Sequence, residues 1–407
     1  MDPFFQQILQ QWAAGEESAA LLFRAGRIDP RLVPLLAEWY EPIAKGITLT
    51  NLDGHTFPAL AFPASGKANG NPQNLLGSFF PDGSTVSLTP AQNTLLAALR
   101  RRIPHIWDGP VYDMETLSLT DGIPSLSARP GGYFANLATG ELVELELLAA
   151  LGSTTANPAA PLAGRLAQRR LLQAHENPIF SARFRCAAAG LSAIIVCRDQ
   201  TRRIVLMRFA APKFGPQFRV LHALPSLMME PATGRWTQEF DVHHNFFREY
   251  LEEVFDAPEQ RGEGLPLGFF ENHPAQTFLR SFLDRREAQL IGTGIAVDLL
   301  KLRPEICTLL LVENPAWLAC HQAGRDPQGN AIPVLDIGSA LRRGELLCRQ
   351  PQDTPLPPVG IADQKWVAFP LGEQFDLPAG LVRPGWFNPA GGAALTLAIQ
   401  WLRKNRA

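Results

Sequence analysis

The stretch HNFFREYLEEVFD, residues 244–256, carries the strongest local pattern in the sequence. With about 100° of rotation per residue, its side chains sort onto two sides of a helix. The apolar side holds Phe247, Tyr250, Leu251 and Val254. The opposite side holds three carboxylates, Glu249, Glu252 and Glu253. The stretch therefore predicts an amphipathic helix with an acidic face.

The acidic face has two explanations. Glu249 and Glu253 are four residues apart, and so are Arg248 and Glu252. In the first explanation, Arg248 pairs with Glu252 while the carboxylates converge on one divalent ion. Without a cation, like charges at this spacing repel one another by a few tenths of a kcal/mol per pair. Hard oxygen ligands favour Mg²⁺ or Mn²⁺ over zinc. A solvated acidic face with no ligand is the other explanation, and such faces are common.

The elements around this helix predict a mixed α and β fold. Apolar runs bounded by turn residues predict a hairpin at 193–209 and further strands at 218–226, 306–313 and 365–371. Helices are predicted at 89–102, where Thr89, Pro90 and Gln92 form a capping box, and at 390–404. The phrase GTGIAV at 292–297 has two glycines of a dinucleotide fingerprint but no βαβ context, which argues against that function.

The helix and its surroundings resemble the Nudix hydrolase superfamily. The family signature is Gly, five residues, Glu, seven residues, then Arg-Glu-apolar-x-Glu-Glu-x-Gly-apolar. Gly234 has the right spacing here, and the second half is filled by Arg248, Glu249, Tyr250, Glu252 and Glu253. The hairpin at 193–209 and the phrase LPSLMMEP at 224–231 are similar to the paired strands and the turn that precede the signature in the family.

The resemblance implies both an activity and a site. It implies a C-terminal Nudix-like mixed sheet flanked by helices, which hydrolyses a nucleoside diphosphate-linked small molecule with Mg²⁺ or Mn²⁺. It implies metal ligands at Glu249, Glu252 and Glu253, a catalytic base among the glutamates, with Glu249 and Glu253 as candidates, and an orienting role for Arg248. The partner expected from it is a small phosphorylated, nucleotide-type ligand.

The sequence also departs from the family pattern. The first signature glutamate falls on Phe240, with Glu239 one place early, and the late glycine falls on Phe255. Ser226 and Leu227 stand where the preceding turn usually has glycines. A second hypothesis is therefore a ligand-binding sensor or interaction module that keeps the fold without turnover. A third is a purely structural acidic helix in an unrelated α+β protein.

Composition limits the class of protein. The 407 residues are 46% apolar and 19% charged, which is typical of a globular chain. A net charge of −2 provides no basic surplus for binding nucleic acid. No run of about 18 apolar residues and no export signal is evident, so we expect no membrane partner. The five cysteines are widely spaced without a CxxC pair, which favours a reducing, cytoplasmic location.

Small uncharged residues suggest a boundary in the chain. The stretch GSTTANPAAPLAG ends at residue 164, and its prolines and lack of charge are typical of a linker. The sequence therefore predicts an N-terminal α+β accessory domain at 1–150, a linker at 151–164 and the Nudix-like domain at 165–407. Arg208, Arg219 and Arg235 precede the acidic helix, where exposed strand-edge charge is a better explanation than phosphate contact.

Overall fold

The computed structural model describes most of the chain. The described residues are 32–64, 70–83, 85–102, 106–144, 146–147, 169, 172–174, 176–210, 220–262, 264–350 and 366–406. The predicted linker at 151–164 lies outside these residues.

Nine α-helices and twelve β-strands occur in the described residues. The helices are α1 (Leu32–Tyr40), α2 (Pro90–Arg102), α3 (Tyr133–Asn136), α4 (Trp236–Glu239), α5 (Val242–Glu253), α6 (Thr277–Asp284), α7 (Ala316–Ala323), α8 (Ile337–Cys348) and α9 (Pro389–Arg406). The strands are β1 (Leu49–Leu52), β2 (His55–Pro63), β3 (Leu76–Phe79), β4 (Pro110–Thr120), β5 (Ile123–Gly132), β6 (Gly190–Arg198), β7 (Arg203–Ala210), β8 (Val220–His222), β9 (Ser226–Met228), β10 (Ala288–Asp298), β11 (Arg303–Val312) and β12 (Trp366–Leu371). A π-helical turn, Leu137–Glu141, follows α3.

The strands form one large sheet and one small sheet. The large sheet has the order β1-β2-β10-β11-β6-β7-β12, with β8 paired to β7 and β9 paired to β6. Its β11–β6 pair is parallel, and its other pairs are antiparallel. The small sheet has the order β3-β5-β4. The sequence-based expectation of a mixed sheet flanked by helices in an α+β fold is confirmed.

The central strands are buried on both faces. In β6, neighbouring side chains point to opposite sides of the sheet, and all of its residues except Arg198 are buried. One apolar cluster lies between the sheet and helices α5 and α6, and it includes Ile195, Leu310, Phe246, Tyr250 and Phe282. The other lies between the sheet and α9, and it includes Ile194, Val205, Leu395 and Leu402. Because both faces of these strands are buried, their sequences are continuous apolar runs.

The first part of the chain belongs to the same sheet. Strand β2 pairs antiparallel with β10, with Phe62 opposite Ile295 and Leu60 opposite Val297. Gly294 allows this close approach, because a Cβ at its position would lie 2.3 Å from the carbonyl oxygen of Phe62. The segments predicted as an accessory domain and as a Nudix-like domain therefore share one sheet across β2 and β10.

Several local predictions are confirmed by hydrogen bonds and pairing. The capping box of α2 forms, with Thr89 N–H donating to Gln92 Oε1 at 2.8 Å and Gln92 N–H donating to Thr89 Oγ1 at 3.3 Å. The hairpin at 193–209 corresponds to β6 and β7. The glycines of GTGIAV lie within β10, which is antiparallel to β11, so the phrase is not a phosphate-binding turn. Among the helices described, none has the length and apolarity needed to cross a membrane.

Candidate functional site

A cavity of about 620 Å³ lies against the C-terminal half of α5. Its walls come from α5, from β7 to β9, from the β10–β11 turn and from residues that precede and follow β4 and β5. Cavities of this size are typical of small-molecule sites. The four residues predicted as site residues, Arg248, Glu249, Glu252 and Glu253, all line it.

Helix α5 positions these residues through its cap and its apolar face. Asp241 caps the N-terminus by accepting a hydrogen bond from His244 N–H at 2.8 Å. Phe246, Tyr250 and Leu251 are buried in the core, which turns the acidic face toward the cavity. Glu252 and Glu253 lie in the last turn, at the negative end of the helix dipole, where added negative charge is unfavourable. The fold therefore holds carboxylates where a cation would stabilise them.

Glu253 is the most constrained of the three glutamates. Its Oε1 lies 2.5 Å from Arg208 Nη1, and its Oε2 accepts a hydrogen bond from Ser226 N–H at 3.1 Å. Arg208 also donates to the carbonyl oxygen of Ser226 at 3.2 Å. The guanidinium of Arg208 thus supplies positive charge beside Glu253, and strand-edge exposure, favoured from the sequence, does not describe this arginine.

Glu249 and Glu252 carry less compensated charge. Burial, with repulsion from the neighbouring Glu253, raises the pKa of Glu249 to about 8. Burial raises the pKa of Glu252 to about 7, against the opposing effect of Arg248, and the negative charge of Glu249 adds to the rise. Both side chains remain partly exposed to the cavity. Perturbed carboxylates in a cavity are typical of sites that bind cations or transfer protons.

Arg248 is held by residues outside the helix. Its Nη1 forms an ion pair with Glu230, and its Nη2 donates to the carbonyl oxygen of Met228 at 3.1 Å. Arg261 also pairs with Glu230, at 3.1 Å. Among the described residues, the ion-pair partner of Arg248 is therefore Glu230. Helix spacing predicted Glu252 instead. Glu230 is the residue before the final proline of the LPSLMMEP phrase. This phrase therefore positions α5.

The β10–β11 region contributes further cationic side chains to the cavity. Arg303 and Lys301, from the β10–β11 turn, line the cavity together with Arg208. Arg303 pairs with the buried Glu305 at 3.1 Å, and Lys301 pairs with Glu144 at 3.2 Å. The cavity is therefore lined by cationic and acidic side chains together, a lining that suits an anionic ligand accompanied by a cation.

His222 and Ser226 meet in the cavity wall, but their geometry does not activate the serine. His222 Nδ1 accepts a hydrogen bond from Ala223 N–H at 2.8 Å, so the neutral ring carries its proton on Nε2. That nitrogen lies 3.3 Å from Ser226 Oγ and donates to it. Burial, together with the charges of Arg208 and Arg303, lowers the pKa of His222 well below its usual value. The pair therefore supports the cavity wall, and no nucleophilic role follows from it.

Phe240, which stands where the resemblance expects its first signature glutamate, lies in an aromatic cluster. The ring of Phe240 lies 5.0 Å from the ring of Tyr112 and 5.8 Å from that of Phe79. Glu239 is buried and accepts a hydrogen bond from Thr233 N–H at 3.0 Å. Neither Phe240 nor Glu239 lines the cavity. This carboxylate stabilises a turn instead.

The donor set suits a hard cation, although it is not assembled as a metal site. Across the described residues, no group of three or more His, Cys, Asp or Glu side chains is arranged to hold a metal ion. The side chains are nevertheless all oxygen donors, and two of them have raised pKa values, which is the chemistry that a divalent cation relieves. That Glu249, Glu252 and Glu253 hold Mg²⁺ or Mn²⁺ stays a prediction.

Several residues that line the cavity could not be predicted from the sequence. Lys301, Arg303 and Asp298 come from a turn about 50 residues after α5, and no spacing within the sequence links them to it. Ser226 lies in the phrase LPSLMMEP, whose pattern predicts only a turn, and His222 lies in the strand predicted at 218–226. Comparison with family models and with curated protein sequences found no match for the chain.

Proposed function

We propose that the α5 cavity binds a small molecule with a pyrophosphate linkage, together with Mg²⁺ or Mn²⁺, and hydrolyses that linkage. One observation carries this proposal: the three glutamates of α5 line the same cavity as Arg208, Lys301 and Arg303. A bound divalent ion would neutralise phosphate charge and lower the pKa of a water molecule.

The residues of the chain then have distinct roles. Glu249, Glu252 and Glu253 hold the cation through carboxylate oxygens. Glu249 is the candidate general base, because it is the first glutamate of the Arg-Glu-apolar-x-Glu-Glu pattern and its side chain lines the cavity beside Arg248. Arg248 is a positioning residue, since its ion pair with Glu230 fixes the orientation of the adjacent turn of α5. Arg208, Lys301 and Arg303 attract the phosphate groups.

A second candidate function is binding without turnover. It is favoured by the ion pair between Arg208 and Glu253, and by the use of Phe240 and Glu239 in packing and turn formation. In that case the arginines bind the phosphate groups, and the glutamates only balance the charge of the arginines.

One assay separates these functions. The full chain is incubated with nucleoside diphosphates, sugar nucleotides and dinucleoside pyrophosphates in Mg²⁺ or Mn²⁺, and products are separated by chromatography. We expect wild-type turnover, with Glu249→Gln lowering it by roughly 10² or more while affinity for the substrate is largely kept. Glu373→Gln, an exposed glutamate outside the cavity, is the matched control.

The other outcomes are equally informative. Saturable binding by calorimetry without product supports the second function and rejects the first. Turnover that Glu249→Gln leaves intact places the chemistry elsewhere in the chain. If the protein shows no binding and no turnover with any of these compounds, both functions are rejected.

A further inference from the structure

The β10–β11 turn, residues 299–302, is buried although it connects two strands beside the cavity. Leu299, Leu300 and Leu302 are buried in the apolar cluster that also packs against α5 and α6. Lys301 is the remaining residue of the turn, and it lines the cavity. Connecting segments usually run over the surface, where water satisfies their backbone polar groups. A buried turn needs partners within the protein for its carbonyl oxygens.

Two buried arginines supply these partners. Arg169 donates to the carbonyl oxygens of Leu299 at 2.8 Å and of Leu300 at 2.6 Å. Arg185 donates to the carbonyl oxygen of Leu302 at 2.8 Å. These hydrogen bonds therefore hold the backbone on both sides of the lysine in the turn.

Each arginine is also fixed by contacts outside the turn. Arg169 Nη1 donates to the hydroxyl oxygen of the buried Tyr40 at 2.7 Å. Arg185 donates to the carbonyl oxygens of Ser181 and Pro178, each at 2.7 Å. Burying a charged group is costly unless its hydrogen bonds are formed, and burial lowers the pKa of Arg185 to about 10. The fold therefore uses two costly buried cations to hold one turn.

The turn is held in a backbone conformation that leucine rarely adopts. Leu302 has a φ of 56°, in the left-handed region that favours glycine. Such a conformation persists only where the surrounding structure fixes it, and it is common at functional sites. Here the buried leucine side chain and the hydrogen bond from Arg185 fix it.

Lys301 and Arg303 are the cationic side chains that this turn brings to the cavity. Lys301 lies between the carbonyl groups held by Arg169 and Arg185. Arg303 directly follows Leu302, so the backbone conformation of that leucine sets the direction of the Arg303 side chain. A change in the turn would therefore move both cations.

We infer that Arg169 and Arg185 are positioning residues, which hold the β10–β11 turn so that Lys301 and Arg303 face the cavity. Neither positioning residue lines the cavity itself. The inference rests on the proposed function, in which the two cations of the turn attract phosphate groups. It adds that residues of the segment 169–185, which follows the predicted linker and is remote from α5 in the sequence, set the affinity for the ligand.

The test separates positioning from stability by double-mutant cycles. Calorimetry in Mg²⁺ measures the affinity of methylenediphosphonate, whose bridging carbon resists hydrolysis, for proteins that urea titrations show to be folded. Arg169→Lys is made alone and with Lys301→Met, and Arg185→Lys is made alone and with Arg303→Met. Lysine keeps the charge but loses the planar fork of donors.

Two further variants and one measurement without ligand complete the test. Tyr40→Phe is a milder change, which removes only the hydroxyl group that Arg169 contacts. Arg343→Lys is the matched control, because Arg343 also donates to a carbonyl oxygen, that of Trp366 at 2.9 Å, and does not line the cavity. Amide hydrogen exchange of peptides that cover 299–303 reports on the turn itself.

We expect Arg169→Lys and Arg185→Lys each to weaken diphosphonate binding by a factor on the order of 10, because a charge-assisted contact is misaligned. Exchange at 299–303 should become faster in both variants. Tyr40→Phe should have a smaller effect, and Arg343→Lys should have none. In the Lys301→Met and Arg303→Met backgrounds the positioning variants should have little further effect on affinity, because residues that act through one contact are not additive.

Three results would overturn the inference. Wild-type affinity or wild-type exchange in both positioning variants shows that the arginines do not hold the turn for the ligand, while the proposed function stands. An equal loss of affinity with and without the cations of the turn shows that the arginines act only through general stability. If wild type does not bind the diphosphonate, the charged site of the proposed function is rejected, and the inference is rejected with it.

Discussion

Replacing Glu249 with glutamine should make the protein more stable at alkaline pH. Its pKa of about 8 in the folded state lies above the ordinary value of 4.5. Between these values the unfolded chain has lost the proton while the folded chain keeps it, so wild-type stability falls as the pH rises through this window. Above about pH 8 the penalty is complete, and below about pH 4.5 it is absent. Glutamine keeps the size of the side chain and has no such titration.

The magnitude follows from the difference between the two pKa values. A rise from 4.5 to about 8 corresponds to at most ~5 kcal/mol, at ~1.4 kcal/mol for each pH unit. Because the carboxylate is partly exposed to the cavity, solvent screens part of this penalty, and we expect ~2 kcal/mol. Glu252, whose pKa is raised to about 7, adds to the wild-type trend in the same direction but is common to both proteins.

Urea unfolding at pH 5, 7 and 9 with a chelator present measures the effect. The free energy of unfolding of Glu249→Gln, relative to wild type, should rise by ~2 kcal/mol between pH 5 and pH 9. Glu373→Gln, at an exposed position, should run parallel to wild type. If the curves of Glu249→Gln and wild type are also parallel, the electrostatic strain assigned to this face of α5 does not exist.

Two further predictions concern the cation and the sheet. At pH 8, Mg²⁺ or Mn²⁺ should raise the melting temperature of wild type, because an ion that binds only the folded state stabilises it; Glu252→Gln with Glu253→Gln should abolish this response, and a response that persists places the ion elsewhere. Gly294→Ala should lower the free energy of unfolding by ~2 kcal/mol or more in urea titrations, because its Cβ would approach the carbonyl oxygen of Phe62. Gly264→Ala, where the Cβ meets nothing within 4 Å, should have little effect; equal stability of the two variants would contradict the β2–β10 pairing.

The parts that the sequence predicted are those governed by local geometry. Strands β6 and β11 are apolar without interruption because both of their faces are covered, and such runs are visible in one sequence. Glu249, Glu252 and Glu253 line one cavity, as helix periodicity predicts once the apolar side of α5 is packed, but among the described residues they are not arranged as a group that could hold a metal ion. The capping box of α2 depends on residues three apart.

The parts that escaped prediction depend on contacts distant in the sequence. Nothing in the stretch HTFPALAFP indicates that β2 pairs with β10 rather than with a neighbour in a separate domain. The ion pair of Arg248 with Glu230 replaces the pairing that helix spacing favours, because the turn before α5 packs closely enough to offer a carboxylate. Trp107 lines the cavity although it is far from α5 in the sequence, so its place there depends on the tertiary fold.

The two proposed functions differ in what Arg208 does when the ligand binds. Its guanidinium compensates Glu253 at 2.5 Å, so a cation that takes both Glu253 and Glu249 as ligands must displace it. A phosphate group that draws Arg208 away releases Glu253 to the cation, and by linkage the cation then favours binding of the phosphate to the same degree. Hydrolysis therefore requires cation and ligand to bind cooperatively. If the protein binds without turnover, Arg208 contacts the phosphate group without leaving Glu253, and ligand affinity is independent of the cation.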